Sequence, residues 1–100
     1  MKLPREYLSY LDGGGICRGR LQSRPGRFRL WTPKEIAADT EDRLSSRVRG
    51  FVGFGDSGDG EMLAFDESGA VYLLPLVGMH ALDAKKIASS WSEFLTLIRR

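Results

Sequence analysis

Residues 50–74 read GFVGFGDSGDGEMLAFDESGAVYLL, and this stretch decides the fold. Three short apolar runs, at 50–55, 61–66 and 70–74, are separated by polar segments rich in aspartate, serine and glycine. Such segments are typical of tight turns, because glycine adopts positive φ and aspartate and serine hydrogen-bond to nearby backbone. The stretch therefore predicts three consecutive strands that form an antiparallel meander.

Two further strands are predicted before the meander, at 16–21 and 28–31, and a Pro-Gly turn joins them. In the second strand Phe28 alternates with Arg27 and Arg29. Side chains on a strand alternate between faces, so the aromatic ring and the two guanidinium groups project to opposite sides. We therefore expect one face of this hairpin to lie in the core and the other to contact water.

Helices are predicted in three places. Residues 4–11 begin with a proline, which suits a first helical turn. Thr32 and Glu35 have the spacing of a capping box, in which each side chain accepts the backbone N–H of the other, so a helix is expected from 33 to about 43. Apolar residues between 83 and 98 recur at steps of three and four, which predicts a C-terminal helix.

The order of these elements predicts an α+β fold. We expect a mostly antiparallel sheet of about five strands, with helices packed on one face. The chain has 100 residues, of which 42% are hydrophobic and 28% charged, and this composition suits one domain spanning residues 1–100. Trp31, Phe54, Phe65 and Trp91 are assigned to its core.

Composition also limits the function classes. The apolar runs are much shorter than the roughly 20 residues of a membrane helix, and no apolar segment follows the N-terminal lysine, so a cytoplasmic location is expected. Cys17 is the only cysteine and His80 the only histidine. An internal disulfide and a zinc site are thereby excluded, and no cofactor or metal is expected. Cys17 is interpreted as a half-buried apolar residue.

Two glycine motifs in the meander resemble catalytic or nucleotide-binding signatures. Residues 55–58 read GDSG, as in serine proteases, but a serine nucleophile needs a histidine base and an orienting carboxylate. Residues 53–58 satisfy G-x-G-x-x-G, but a strand and not a helix is expected to follow. The acidic residues of this turn lack the glycine position and flanking helices of an EF-hand. The sequence therefore predicts a protein that is not an enzyme.

Charge is distributed unevenly along the chain. Residues 1–50 carry eleven basic and six acidic side chains, whereas residues 51–100 carry four and seven. Such asymmetry suits contact with a charged partner. The candidate partner-binding residues are Arg18, Arg20, Arg27, Arg29, Asp56, Asp59 and Glu61. We expect charge reversal at the three acidic residues to weaken partner binding with little change in stability. Nucleic-acid binding through the four arginines is a less favoured alternative, because no nucleic-acid motif accompanies them.

Several short motifs follow one another along the chain in a recognisable order. They are LPREYL at 3–8, GGG at 13–15, LWTP and EI within 30–36, FVGFG at 51–55, DGE and AFD within 59–66, VY at 71–72, and IASSW and EFL within 87–95. In this order and spacing they resemble the SUKH superfamily, whose members include fungal cell-wall synthesis regulators and many bacterial immunity proteins. The resemblance covers nearly the whole chain.

This resemblance implies a function. A SUKH-like immunity protein binds and neutralises a cognate polymorphic toxin, so the expected partner is a secreted toxin domain and the expected mechanism is occlusion without catalysis. A regulatory or scaffold module of the cell-wall synthesis regulator type is the alternative. The superfamily is often acidic, whereas this chain has a net charge of +2, so a nuclease toxin is not inferred. A homodimer is left open.

Overall fold

A computed structural model of the chain describes residues 3–22, 24–42, 50–76 and 83–99. Residue 43, the expected end of the second helix, and His80 lie outside these ranges. The described helices and strands are, in chain order, α1 (Arg5–Asp12), β1 (Arg18–Leu21), β2 (Arg27–Leu30), α2 (Pro33–Asp42), β3 (Val52–Asp56), β4 (Glu61–Phe65), β5 (Val71–Pro75), β6 (Lys85–Ala88), α3 (Trp91–Thr96) and β7 (Ile98–Arg99).

The described strands form one antiparallel sheet. Its order is β6-β5-β4-β3-β2-β1-β7, and every pair of neighbours is antiparallel. The α+β class and the mostly antiparallel sheet are therefore confirmed, with seven strands where about five were expected. The two additional strands, β6 and β7, lie at opposite edges of the sheet, and both come from the C-terminal segment.

The prediction of one continuous helix from 83 to 98 is wrong. Residues 85–88 pair with β5 as an edge strand, and only Trp91–Thr96 are helical. Ser90 has an extended backbone, and its Oγ accepts the N–H of Glu93 at 3.1 Å, which starts the helix there. Glu93 Oε1 in turn accepts the N–H of Ser89 at 3.1 Å, so this cap differs by one residue from the capping box of Thr32 and Glu35.

The main core lies between one face of the sheet and the helices α1 and α3. Tyr7 of α1 and Trp91 and Phe94 of α3 pack against Phe54 and Phe65 of the central strands, and all five are fully buried. The Phe54 and Phe65 rings stack with centroids 4.2 Å apart, and Tyr7 meets Trp91 edge to face at 4.8 Å. Such ring pairs add about 0.5–1.5 kcal/mol each to the burial of apolar area.

Glu6 joins the two helices that cover this core. Its carboxylate accepts the backbone N–H of Trp91 at 3.1 Å and the hydroxyl of Ser92 at 2.9 Å. A helix leaves its first N–H groups without intrahelical acceptors, so a carboxylate at this end satisfies a donor and complements the helix dipole. The N-terminal helix is thereby attached to the C-terminal one on the same face of the sheet.

Individual side chains depart from the expected burial. Phe54, Phe65 and Trp91 lie in the core as expected, whereas Trp31 is only half-buried. Cys17, which was interpreted as half-buried, is exposed. Exposure at such positions depends on which neighbouring element covers them, and sequence spacing specifies only a face.

No helix in the described part of the chain is both long enough and apolar enough to cross a membrane.

Candidate partner-binding site

Five arginines project from one face of the sheet where β7, β1 and β2 lie side by side. Arg18 and Arg20 alternate along β1, and Arg27 and Arg29 along β2. The register places Arg18 opposite Arg29, and Arg20 opposite both Arg27 and Arg99. Directly opposite residues of antiparallel strands share a face, with Cβ atoms about 5 Å apart. We call these five residues the arginine face.

The opposite side of the same hairpin enters the core, which explains the pattern of the sequence. Gly19 and Phe28 are directly opposite each other between the arginine pairs, and Phe28 is buried against Phe94 with ring centroids 5.7 Å apart. Burial of these alternating residues leaves the intervening arginines on the outer surface. The predicted division of this hairpin into a core face and a charged face is confirmed.

An open groove of about 500 Å³ lies over the arginine face. Four of the five arginines line it, together with Gly19, Phe28 and residues 56–58 at the end of β3 and the start of the turn that follows. A neighbouring depression of about 410 Å³ continues past Arg20 and Arg27 to Arg99 and Asp59. The surface is therefore concave, charged and continuous across three strands.

Asp56 is the central acceptor of this surface. Its Oδ2 accepts the indole N–H of Trp31 at 2.7 Å and a guanidinium N–H of Arg29 at 3.0 Å. Its Oδ1 accepts the backbone N–H of Gly58 at 3.0 Å. The Asp56 side chain is 18% exposed, so these donors replace much of the water that it would otherwise bind. Asp56 thus orients Arg29 and also holds the start of the turn.

The turn after β3 presents a second carboxylate to the arginines. Ser57 is buried, and its Oγ accepts the N–H of Asp59 at 3.1 Å. Gly58 and Gly60 have φ of 79° and 88°, a backbone conformation that favours glycine. The turn is consequently well defined, and it places Asp59 at 2.7 Å from Arg27.

Glu35 approaches the surface from the first turn of α2. The predicted capping box is present, because Glu35 N donates to Thr32 Oγ1 at 3.1 Å and Thr32 N donates to Glu35 Oε1 at 2.9 Å. The other carboxylate oxygen lies 3.5 Å from Arg29. The hydrogen bond from the Thr32 amide, together with the charge of Arg29, holds the pKa of Glu35 below its usual value.

Among the described residues, ion pairs compensate only part of the positive charge of the arginine face. Arg27 pairs with Asp59, and Arg29 pairs with Asp56 and Glu35. Within the described residues, no acidic group pairs with the other three members of the arginine face, which are Arg18, Arg20 and Arg99. Like charges directly opposite each other on a sheet are destabilising. The surface therefore carries a concentrated charge at some cost to the stability of the sheet.

The structure brings together six of the seven residues predicted to bind a partner. The four predicted arginines, Asp56 and Asp59 share one surface, whereas Glu61 lies elsewhere. Glu61 directly precedes Met62, whose register partner is Asp56, so alternation turns Glu61 to the other face of the sheet. There it lines a separate groove of about 360 Å³ with Leu73 and Lys85.

Sequence reasoning missed two residues of this surface, Arg99 and Glu35 as an ion-pair partner. Arg99 enters through the pairing of the two-residue strand β7 with β1, a contact for which the sequence contains no local signal. Glu35 was recognised only as a capping residue. It lies six residues from Arg29, and the sequence does not show that the β2–α2 connection brings the two side chains together.

The chemistry available here is that of guanidinium groups. They donate hydrogen bonds in a planar fork that matches carboxylate and phosphate groups, and they are charged at all physiological pH values. Across the part of the chain that the structure describes, no group of three or more histidine, cysteine, aspartate or glutamate side chains is arranged to hold a metal ion.

Comparison with known proteins identifies the family. A family model of the SMI1 / KNR4 family (SUKH-1) matches residues 1–97, while a search of curated proteins gives no significant match. This family is generally non-catalytic, and membership suggests a role in protein–protein interaction. Both an immunity protein and a regulatory protein-binding domain are consistent with this family. The match extends over almost the whole chain and confirms the SUKH resemblance; the chain belongs to the SMI1 / KNR4 family (SUKH-1).

Proposed function

We propose that this protein is a cytoplasmic immunity protein, a single non-catalytic domain that binds a cognate bacterial toxin through its arginine face and blocks the toxin by occlusion. The observation that carries the proposal is a concave surface with three arginines that have no acidic partner among the described residues, in a chain of the SMI1 / KNR4 family. Charge of this kind, kept at a cost in stability, suits recognition of a partner.

Occlusion requires area and orientation, not reacting groups. A standard protein interface buries about 800 Å² on each partner, and charged groups at its rim increase the association rate and select the partner. The arginine face supplies the charge, and the hydrogen-bonded turn at 56–60 supplies a rigid wall. This turn is preformed and therefore loses little conformational entropy when a partner binds.

The test is protection of a cell that expresses the toxin domain encoded beside the gene for this chain. The wild-type protein is expected to restore growth and to co-purify with the toxin. The double variant R18E/R20E is expected to lose both effects, because reversed charges would repel the surface that the arginines attract.

The matched control is R5E, since Arg5 is an exposed arginine on α1, which packs against the opposite face of the sheet. R5E is expected to protect as well as wild type. Failure of the wild-type protein to protect or to form a complex would contradict immunity. Full protection by R18E/R20E would instead retain immunity and reject the arginine face as the binding surface.

A regulatory protein-binding module is the second candidate, and the match to the SMI1 / KNR4 family favours it equally. In that case the partner is an endogenous protein of the same cell. Cross-linking in the native host and pull-down with the wild-type chain would recover one defined partner, and R18E/R20E used as bait would lose it. Protection against a neighbouring toxin would not be observed.

A further inference from the structure

We infer that the arginine face accepts an extended acidic segment of a protein partner, in which carboxylates on alternate residues pair with Arg18, Arg20 and Arg99. This inference rests on the proposed function, because it specifies the chemistry of the partner at the same surface. Asp56 and Asp59 already pair with Arg29 and Arg27, whereas no acidic side chain of the described residues pairs with the other three guanidinium groups.

The spacing of the arginines favours an extended ligand. Arg18 and Arg20 are two residues apart on one strand, which places their Cα atoms about 6.8 Å apart. Alternate residues of any extended peptide have the same separation. Two carboxylates on alternate positions of such a segment would therefore each reach one arginine, and guanidinium–carboxylate pairs of this type form two parallel hydrogen bonds.

Arg99 extends the proposed binding site from β1 to the neighbouring strand β7. It lies directly opposite Arg20 on the neighbouring strand, about 5 Å away between Cβ atoms. A carboxylate placed between Arg20 and Arg99 would relieve the repulsion between them. Relief of this repulsion would therefore favour the binding of an anion, in addition to the geometric fit.

An acidic protein segment fits this surface better than nucleic acid does. The three arginines that lack an acidic partner among the described residues match two or three carboxylates, whereas DNA-binding proteins with strongly salt-dependent affinity can make about six to ten phosphate contacts. Single-strand binding also relies on exposed aromatic rings for base stacking. Phe28 is the aromatic residue of β1, β2 and β7, and it is buried against Phe94, so these strands offer no exposed ring for stacking.

The experiment measures fluorescence anisotropy with two labelled peptides of equal composition, one alternating glutamate with serine and one with all its glutamates in a block. Binding is measured at low ionic strength, where exposed charges are least screened. The wild-type protein is expected to prefer the alternating peptide. R18Q/R20Q is expected to bind it about tenfold more weakly, because two charge-assisted pairs are lost. R5Q is the control and is expected to bind like wild type.

A stability measurement excludes unfolding as the cause of weaker binding. Arg20 is flanked by two like charges, so R18Q/R20Q is expected to melt at the same temperature as wild type or higher. No binding of either peptide, equal affinity for both peptides, or unchanged binding by R18Q/R20Q would overturn the inference. Tighter binding of a labelled thymidine oligonucleotide than of the alternating peptide would overturn it in favour of nucleic acid.

The two proposals fail separately. If the protein protects against the toxin but shows no preference for the alternating peptide, the acidic extended ligand is wrong and immunity stands. If the peptide binds as expected but no toxin is neutralised, the chemistry of the surface stands and immunity is wrong.

Discussion

Two aspartates that pair with the arginine face, Asp56 and Asp59, have different structural roles although they are only three residues apart. Asp56 accepts from an indole, a guanidinium group and a backbone amide, and is 18% exposed. Asp59 pairs with Arg27 while both side chains are more than half exposed. Hydrogen bonds made by a part-buried charge contribute much more to stability than an exposed ion pair does.

We therefore expect D56N to lower the free energy of unfolding by about 1–3 kcal/mol, because a part-buried set of hydrogen bonds loses its charged acceptor. D59N, the matched control, is expected to change it by less than about 1 kcal/mol. Urea unfolding monitored by circular dichroism measures both. Equal losses for the two variants would contradict the assignment of Asp56 as the central acceptor. From the sequence we expect charge reversal at the acidic residues to change stability little. The structure supports that expectation for Asp59, whereas for Asp56 we now expect a clear loss of stability.

Asp66 gives the protein a pH dependence at the β4–β5 turn. Burial tends to raise the pKa of Asp66, but hydrogen bonds from the Ser68 hydroxyl and from the amides of Ala70 and Ser68 outweigh it, so this pKa lies below its usual value. A carboxyl whose pKa is lower in the folded state contributes stability above its unfolded pKa of about 3.9. That contribution is lost as the pH falls through the folded pKa.

The difference in unfolding free energy between wild type and D66N is accordingly expected to be constant from neutral pH to about pH 5 and to shrink at lower pH. Urea titrations at a series of pH values measure it. A difference that is the same at all pH values would show that the ionised carboxylate does not stabilise this turn.

At the scale of elements, Gly55 determines how β2 and β3 approach each other. It lies opposite Leu30, next to an irregularity in the β3–β4 register between Gly53 and Gly55. A Cβ at Gly55 would lie 2.5 Å from the backbone oxygen of Arg29, which cannot move without disturbing the strand pair. Because Asp56 follows directly, this close contact also sets the position of the main acceptor of the site.

G55A is expected to lower the free energy of unfolding by about 1–3 kcal/mol, because overpacking here displaces backbone. G13A is the matched control: its φ is −79°, and an added Cβ would approach Ser9 no closer than 3.4 Å. It is expected to be neutral or to gain up to about 1 kcal/mol. Thermal unfolding compares the two variants, and similar melting temperatures would contradict the close β2–β3 contact.

At the scale of the whole molecule, folding brings together basic and acidic residues that lie in different halves of the sequence. The arginines of β1 and β2 come from the basic half of the chain, whereas Asp56 and Asp59 come from the acidic half. The sheet order places these strands side by side, so the fold has one mixed surface with a local excess of positive charge.

We expect residues 1–100 to unfold as one cooperative unit. An N-terminal and a C-terminal segment are joined twice, by the pairing of β1 with β7 and by the bonds from Glu6 to the first turn of α3. Far-UV circular dichroism and tryptophan fluorescence should therefore give coincident unfolding curves. Separate transitions by the two methods would show that the domain is divided.

The sequence alone determined those features that depend on contacts between near neighbours. The meander at 50–74, the hairpin with its alternating arginines and the Thr32–Glu35 capping box all follow from strand alternation, turn residues and side-chain bonds within a few positions. The same local information predicted the four arginines and two aspartates that the fold brings to one surface.

Only the tertiary structure decided the pairing of distant segments. The apolar spacing of residues 83–98 suits one helix as well as a strand followed by a short helix, and the open edge of β5 selects the second arrangement. Pairing of β7 with β1 adds Arg99 to the arginine face. Strand alternation places Glu61, which was predicted to bind the partner, on the opposite side of the sheet. The physical reason is that edge pairing and burial depend on which segments meet in space, whereas periodicity in sequence specifies only the face on which a side chain lies.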